Sequence, residues 1–284
     1  MVVRQASGAY IAAMDDIVRH TAARAIAGKT TDTYEILAGP TDAGLIILCD
    51  HASNILPDAY GTLGLDAGQF ERHIAYDIGG EGVTRVLAAA LGAPAIMTKF
   101  SRLLIDPNRG EDDPTLIMRI SDGAVVPGNR HLSAEERDAR LNGYFRPYHR
   151  AIDQMIDQCL AVDVTPTLLS IHSFTEVWRG TPRPWHIGIL WNKKDDRLAG
   201  PLLEAFGRHD DLIVGDNEPY SGEMHGDCMY QHGTSRGLPH AIVELRQDLI
   251  GTEAGQHHWS KHLEDVLREL PHNGDLNFSF AAKV

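Results

Sequence analysis

The sequence predicts an α/β protein, a mixed and mostly parallel sheet with helices on both faces. Three observations predict it. Short apolar runs (44–49, 165–171, 240–245) alternate with longer segments of helical period, which is the βαβ rhythm. The apolar runs are nearly continuous rather than alternating, as expected of parallel strands buried on both faces. Each run carries or ends on a polar residue of catalytic type: His51, His172 and Glu244.

The elements follow in order. Tyr10, Met14, Val18 and Ala22 stand at near-helical spacing and predict a peripheral helix over 7–27, within a peripheral N-terminal segment of residues 1–30. Gly44–Cys49 is the first buried strand, and it stops at Asp50-His51. Residues 67–91 read as helical, and 93–98 as a strand after the break at Gly92. Ser133-Ala-Glu-Glu136 is a capping box, so a long helix should run from 132 to 161, kinked or split near Pro147. Thr165–Ile171 is a strand stopping at His172. Strands at 185–191, 212–215 and 240–245 alternate with helices at 197–207, 226–236 and 255–270. No repeat, low-complexity tract or linker divides the chain, so residues 1–284 are expected to form one domain.

Composition narrows the function. Apolar residues make up 43% of the 284, which suits an ordinary globular core. A net charge of −13 with no basic cluster argues against nucleic acid as a partner. Three well-separated cysteines and no CxxC suit reduced thiols. With no apolar run of membrane-spanning length and no apolar leader near Met1, the expectation is a soluble, cytoplasmic protein that does not engage a membrane. Oligomeric state is open. Neither a dinucleotide fingerprint, a P-loop nor a GxSxG elbow is present.

In open α/β sheets, ligands collect beyond the carboxyl ends of the strands. His51 and His172 fall there, and if their strands are neighbours the imidazoles meet. Two imidazoles and a carboxylate suit Zn²⁺, with one position left for water. The alternative for each histidine is an ordinary hydrogen-bonded strand-end residue. Acidic candidates for the third ligand are Asp77, Glu71 and Glu81, with Asn54 a poorer amide option. Asp77 could instead cap the helix that follows it. Glu244, a charge inside an apolar run, needs a reason to be there. It is either an ion pair with Arg246 on the same strand face, or general acid/base work beside a metal-bound water. Arginines at 102, 109, 179 and 183 could hold a substrate carboxylate in a planar fork. Tyr220 and His232, in a turn-rich stretch, are further candidate contacts.

Five ordered blocks now stand together: Cys49-Asp-His51-Ala-Ser-Asn54, His73-Ile-Ala-Tyr-Asp77, Ser101-Arg-Leu-Leu-Ile-Asp106-Pro-Asn108-Arg109, Ser170-Ile-His172-Ser173 and Glu244-Leu-Arg246-Gln-Asp248. The succession resembles the N-formylglutamate amidohydrolase family over roughly residues 40–270. The resemblance implies a fold like that of zinc peptidases and related phosphorylase/hydrolase proteins. It implies one Zn²⁺, or another divalent metal, on His51, Asp77 and His172, with Glu244 catalytic. Arg102, Asn108, Arg109, Arg179, Arg246 and His232 would then hold the substrate. The implied reaction is hydrolysis of N-formyl-L-glutamate to formate and L-glutamate, as in histidine breakdown. Two alternatives remain: a broader N-acyl amino acid or peptide amidase with the same site, and a metal-free carboxylate-binding module. Asn54 departs from the carboxypeptidase-type pattern, which has an acidic ligand three residues after the first histidine.

Overall fold

The computed structural model describes residues 25–270, 275–280 and 282. Eight strands form the main sheet: β1 (Lys29–Thr30), β2 (Tyr34–Leu37), β3 (Leu45–Cys49), β4 (Ala95–Thr98), β5 (Thr167–Phe174), β6 (Ile187–Leu190), β7 (Val214–Asp216) and β8 (His240–Arg246). Their order is β7-β6-β8-β5-β3-β4-β2-β1. The four central strands β8, β5, β3 and β4 are parallel. β6 is antiparallel to β8 and parallel to β7, and β2 returns antiparallel to β4. The sheet is therefore mixed, with a parallel centre, as expected.

Strand alternation sorts the core onto two faces. Leu45, Ile47, Leu169, Ile171, Val243 and Leu245 face one side. There they pack against Val83 and Leu87 of helix α1 (Gly80–Leu91), and against Trp259, Leu263 and Leu267 of the helix over Glu253–Glu269. Ile46, Leu48, Leu168 and Ile242 face the other side, against Tyr148, Ile152, Met155 and Ile156. Those four lie at i, i+4, i+7 and i+8, one stripe of a helix. Each fully buried aliphatic side chain contributes about 1.5–3 kcal/mol.

The predicted helix from Ser133 is split. Ser133 Oγ accepts from Glu136 N–H and starts α2 (Ala134–Arg140). A π-helical turn at Leu141–Phe145 follows, then α3 (Arg146–Leu160). Pro147 has no N–H to give the preceding turn, so the backbone widens there. After it come α4 (Ala199–Phe206), α5 (Cys228–His232), α6 (Gln247–Ile250) and α7 (Glu253–Glu269), the helix of Trp259. The expected helix at 226–236 is thus α5 followed by a separate 3-10 turn at Thr234–Arg236.

Two expectations are corrected. Residues 67–91 are not one helix: a 3-10 turn at Ala67–Glu71 and a run of turns precede α1. Gly79 occupies the N-cap of α1 with φ +82°, where a Cβ would meet Ile250 O at 2.3 Å. A glycine is required there, and Asp77 does not cap the helix. At the N-terminus, Ala25–Ile26 pairs with Gly39–Pro40 as a short strand instead of ending a helix. The remainder of that predicted helix lies outside the described residues.

Candidate functional site

The carboxyl ends of β3, β5 and β8 deliver the site. His51 follows β3, whereas His172 and Glu244 are registered opposite one another on β5 and β8. Both therefore project from the same sheet face as Ser170 and Leu168. Asp77 is brought in by its own backbone, whose N–H donates to His51 O at 2.9 Å. Ser101 Oγ donates to Ala75 O, knitting the 99–106 loop to the same segment. His51, Asp77, His172 and Glu244 all line one pocket.

One ring nitrogen each of His51 and His172 and one Asp77 carboxylate oxygen lie within 4.8 Å of one another. Asp77 Oδ2 is 2.9 Å from His172 Nδ1 and 3.4 Å from His51 Nδ1, and it also accepts from Ser173 N–H. The far nitrogens are held by two further buried carboxylates. His51 Nε2 is 2.7 Å from Asp106 Oδ1, and His172 Nε2 is 3.2 Å from Asp50 Oδ2. An ionised carboxylate can only accept, so each Nε2 carries hydrogen; Arg102 Nη1, a donor 3.2 Å away, meets a lone pair on His51 Nδ1, and His172 Nδ1, which donates to Asp77 as it stands, offers its lone pair once a cation displaces that proton. Two imidazole lone pairs and a carboxylate oxygen then converge on one point, a donor set that fits a borderline cation such as Zn²⁺. Asp50 is further braced by Tyr148 Oη at 2.7 Å and Ser170 Oγ at 3.2 Å.

The electrostatics follow. Burial resists ionisation of Asp77, but His51 and His172 outweigh it and hold the carboxyl well below its usual range. Burial likewise resists charge on His172, and Asp50 and Asp77 override it, raising that imidazole. Glu244 moves the other way. Burial pushes its carboxyl up to about 7, Asp77 adds to the rise, and His172, His51 and Arg102 oppose it. Its Oε2 is buried without a hydrogen-bond partner. An unpartnered buried carboxylate oxygen costs about 1–3 kcal/mol or more, so this one is held ready for something the chain does not supply.

The structure divides the arginine candidates. Arg102 lines the pocket, but its fork is committed: Nη2 lies 2.6 Å from Asp106 Oδ2, and Nη1 lies 3.5 Å from Asp77 Oδ1 and 3.2 Å from His51 Nδ1. Arg109 also lines the pocket, donating from Nε to Thr115 Oγ1 and from Nη1 to Asn108 O. Among the described residues it makes no ion pair. Asn108 lines the pocket too, and its Oδ1 accepts from Cys228 N–H.

Three candidates are not brought to this pocket. Arg246 is paired with Asp248 and reaches the carbonyls of 183–185, so it is not the partner of Glu244 either. Arg179 stacks on the Trp178 ring. His232 packs against His149 in a separate buried cluster. Nor do the other acidic candidates converge: Glu81 pairs with Arg85, Glu71 is exposed, and Asn54 Nδ2 donates to Phe70 O.

Sequence reasoning gave no role to Asp50, Asp106 or Tyr148, although Asp50 and Asp106 stand inside the blocks it singled out. It also gave no place to Phe174 and Trp178, whose rings, with that of the candidate contact Tyr220, surround the Arg183 guanidinium at 5.0–5.8 Å. The usable signal was an aspartate abutting a strand-end histidine. Tyr220 does line the pocket, and its Oη accepts from Arg183 Nη1 at 3.1 Å.

A comparison with curated protein sequences returned no match. Among solved structures, a gene product of Agrobacterium tumefaciens is similar at 31% identity and a TM-score of 0.78, over 84% of this chain and 94% of its own. An N-formylglutamate amidohydrolase from Ralstonia eutropha shares the fold with a TM-score of 0.61 at 20% identity, over 84% and 99%. The sequence pattern of the N-formylglutamate amidohydrolases matches residues 43–251. The chain belongs to the N-formylglutamate amidohydrolase family.

Proposed function

We propose that this hydrolase of amide bonds removes the N-acyl group of an acidic amino acid by a zinc-dependent route. N-formyl-L-glutamate plus water would give formate and L-glutamate. The observation that carries the reading is the convergence of His51 Nδ1, His172 Nδ1 and Asp77 Oδ2 beside an unpartnered Glu244 carboxylate oxygen in one pocket. A zinc ion held by His51, Asp77 and His172 would supply a Lewis acid for the scissile carbonyl and a water of lowered pKa.

The chain's own residues do the rest. Glu244 takes a proton from the attacking water and returns it to the leaving nitrogen as the C–N bond breaks, so hydroxide ends on the acyl carbon and the proton on the amine. Arg102, fixed by Asp106, places positive charge beside His51, where negative charge develops on the carbonyl oxygen. Arg109, which makes no ion pair among the described residues, is the better anchor for a substrate carboxylate. The cavity holds ≈ 200 Å³, below the roughly 300–1,000 Å³ of sites for drug-sized ligands, which favours a small acyl group.

The test is turnover of N-formyl-, N-acetyl- and N-succinyl-L-glutamate by the zinc-loaded protein and by Glu244→Gln. The formyl substrate should be preferred. The variant should bind zinc normally and lose about 10²–10⁴-fold in kcat. Wild-type turnover in Glu244→Gln would remove the glutamate from its role, and a preference for larger acyl groups would overturn the substrate assignment.

A further inference from the structure

A second cluster of metal-ligand type lies outside the pocket, and its hydrogen-bond geometry contains a conflict. His149 Nε2 is 3.0 Å from Pro107 O, and a carbonyl only accepts, so that nitrogen carries hydrogen. His232 Nδ1 is 3.1 Å from Asp153 Oδ1, a carboxylate that Arg236 also contacts and that is ionised at neutral pH. That nitrogen carries hydrogen as well. The remaining nitrogens, His149 Nδ1 and His232 Nε2, are then both lone-pair acceptors in the neutral rings. They face each other at 2.8 Å, between rings tilted by 19°. Two acceptors at that distance repel unless a cation sits between them.

The third group is Cys228 Sγ. Cys228 and His232 are at i and i+4 on α5 and so share one helix face. The thiol, His149 and His232 are all buried, and their ligand atoms lie within 4.8 Å of one another. A surface cavity lined by His149, Asp153, His225, Tyr230 and His232 gives an ion a way in. We propose that His149 Nδ1, His232 Nε2 and Cys228 Sγ form a second metal site, for a borderline-soft divalent ion of the zinc class.

Thiolate with imidazole is the donor set such an ion prefers, and Asp153 and Pro107 O already orient the two rings. The nitrogens must part from 2.8 Å to about 3.3 Å to give bonds of roughly 2.0–2.1 Å at a tetrahedral angle. Binding ionises the Cys228 thiol, which now hydrogen-bonds to Asp50, and its proton leaves to solvent. The sulfur, the two nitrogens and the ion are otherwise unchanged; no redox step is involved. The ion would clamp α3 to the 220–232 segment, whose Tyr220, Ser221, Met224 and Asp227 line the reaction pocket.

The test uses the whole chain, stripped by chelator and titrated with cobalt(II). The His51–Asp77–His172 site has no sulfur, so a near-ultraviolet thiolate-to-cobalt charge-transfer band reports the second site alone. The expected result is a second bound equivalent accompanied by that band. His172→Ala should keep the band, and Cys228→Ser should abolish it while keeping the first equivalent. A wild-type protein that binds cobalt without the band, at whatever stoichiometry, overturns the proposal and leaves a shared proton between the imidazoles. That wild-type reading decides the matter even if a variant fails to fold, and it does not depend on turnover.

Discussion

Two buried histidine pairs differ in what stands behind them. His51 and His172 are braced by Asp106 and Asp50, whose side chains are fully buried, and they open into a pocket beside Glu244. His149 and His232 are braced by a backbone carbonyl and by Asp153, which is 47% exposed, with a thiol as third donor. His240 is the reference case. Its Nδ1 donates to Leu238 O at 2.8 Å and its Nε2 accepts from Thr234 Oγ1 at 3.0 Å, so the ring is satisfied and calls for no cation. Burial alone does not make a histidine a ligand; what matters is whether its second nitrogen is left facing another donor atom.

The largest effect separates the two pairs. His172→Ala should cost on the order of 10³-fold or more in kcat/KM, because several kcal/mol of charge stabilisation would leave with the metal proposed for His51, Asp77 and His172. His232→Ala should cost less than about tenfold, since His232 touches no part of the pocket. Steady-state kinetics on the formyl substrate would check this, and equal losses would erase the distinction. Next in size is Asp50→Asn. It keeps the shape but weakens the acceptor behind His172, and zinc affinity, measured by chelator competition, should fall about 10–100-fold. An unchanged affinity in a folded variant would mean that Asp50 is only a core hydrogen-bond partner of Tyr148 and Ser170.

What the sequence revealed follows the same division. A polar residue at the end of an apolar run is a local signal, and it marked His51, His172 and Glu244 without any knowledge of strand order. Asp77 stayed ambiguous because a helix N-cap and an inward-facing carboxylate have the same local sequence. The choice was made by Gly79, which fits where a Cβ would strike Ile250. Arg246 does share a strand face with Glu244, yet β8 ends there and Asp248, two residues on, captures the guanidinium. His149 sits on the buried stripe of α3 with Tyr148 and Ile152, where periodicity reads only core. Contacts over 80 residues of sequence, such as His149 to His232, leave no mark in either local segment.

The reference histidine predicts a pH effect. Burial lowers the pKa of His240, the donor bond to Leu238 O and the charge of Asp195 partly offsetting it. The folded protein therefore binds this proton less readily than the unfolded chain, whose histidine titrates near 6.5. His240's share of stability is complete above pH 6.5 and is lost as the pH falls below it, by at most about 1.4 kcal/mol per pH unit. His240→Gln should flatten that part of the urea-denaturation profile, and an unchanged slope would show that other groups carry it.

The smallest effect asks whether exposure weakens a brace. Asp153→Asn leaves an amide oxygen able to accept from His232 Nδ1, and removes a charge that solvent and Arg236 already screen. Cobalt affinity at the thiolate band should fall by less than about tenfold, a smaller loss than Asp50→Asn inflicts on the buried pair. The contrast follows from dielectric surroundings: a carboxylate shut away from water polarises its imidazole strongly, whereas one in contact with water does so weakly. A loss at Asp153 as large as that at Asp50 would break the argument. It would mean that the charge behind a histidine, and not its burial, sets the strength of the ligand.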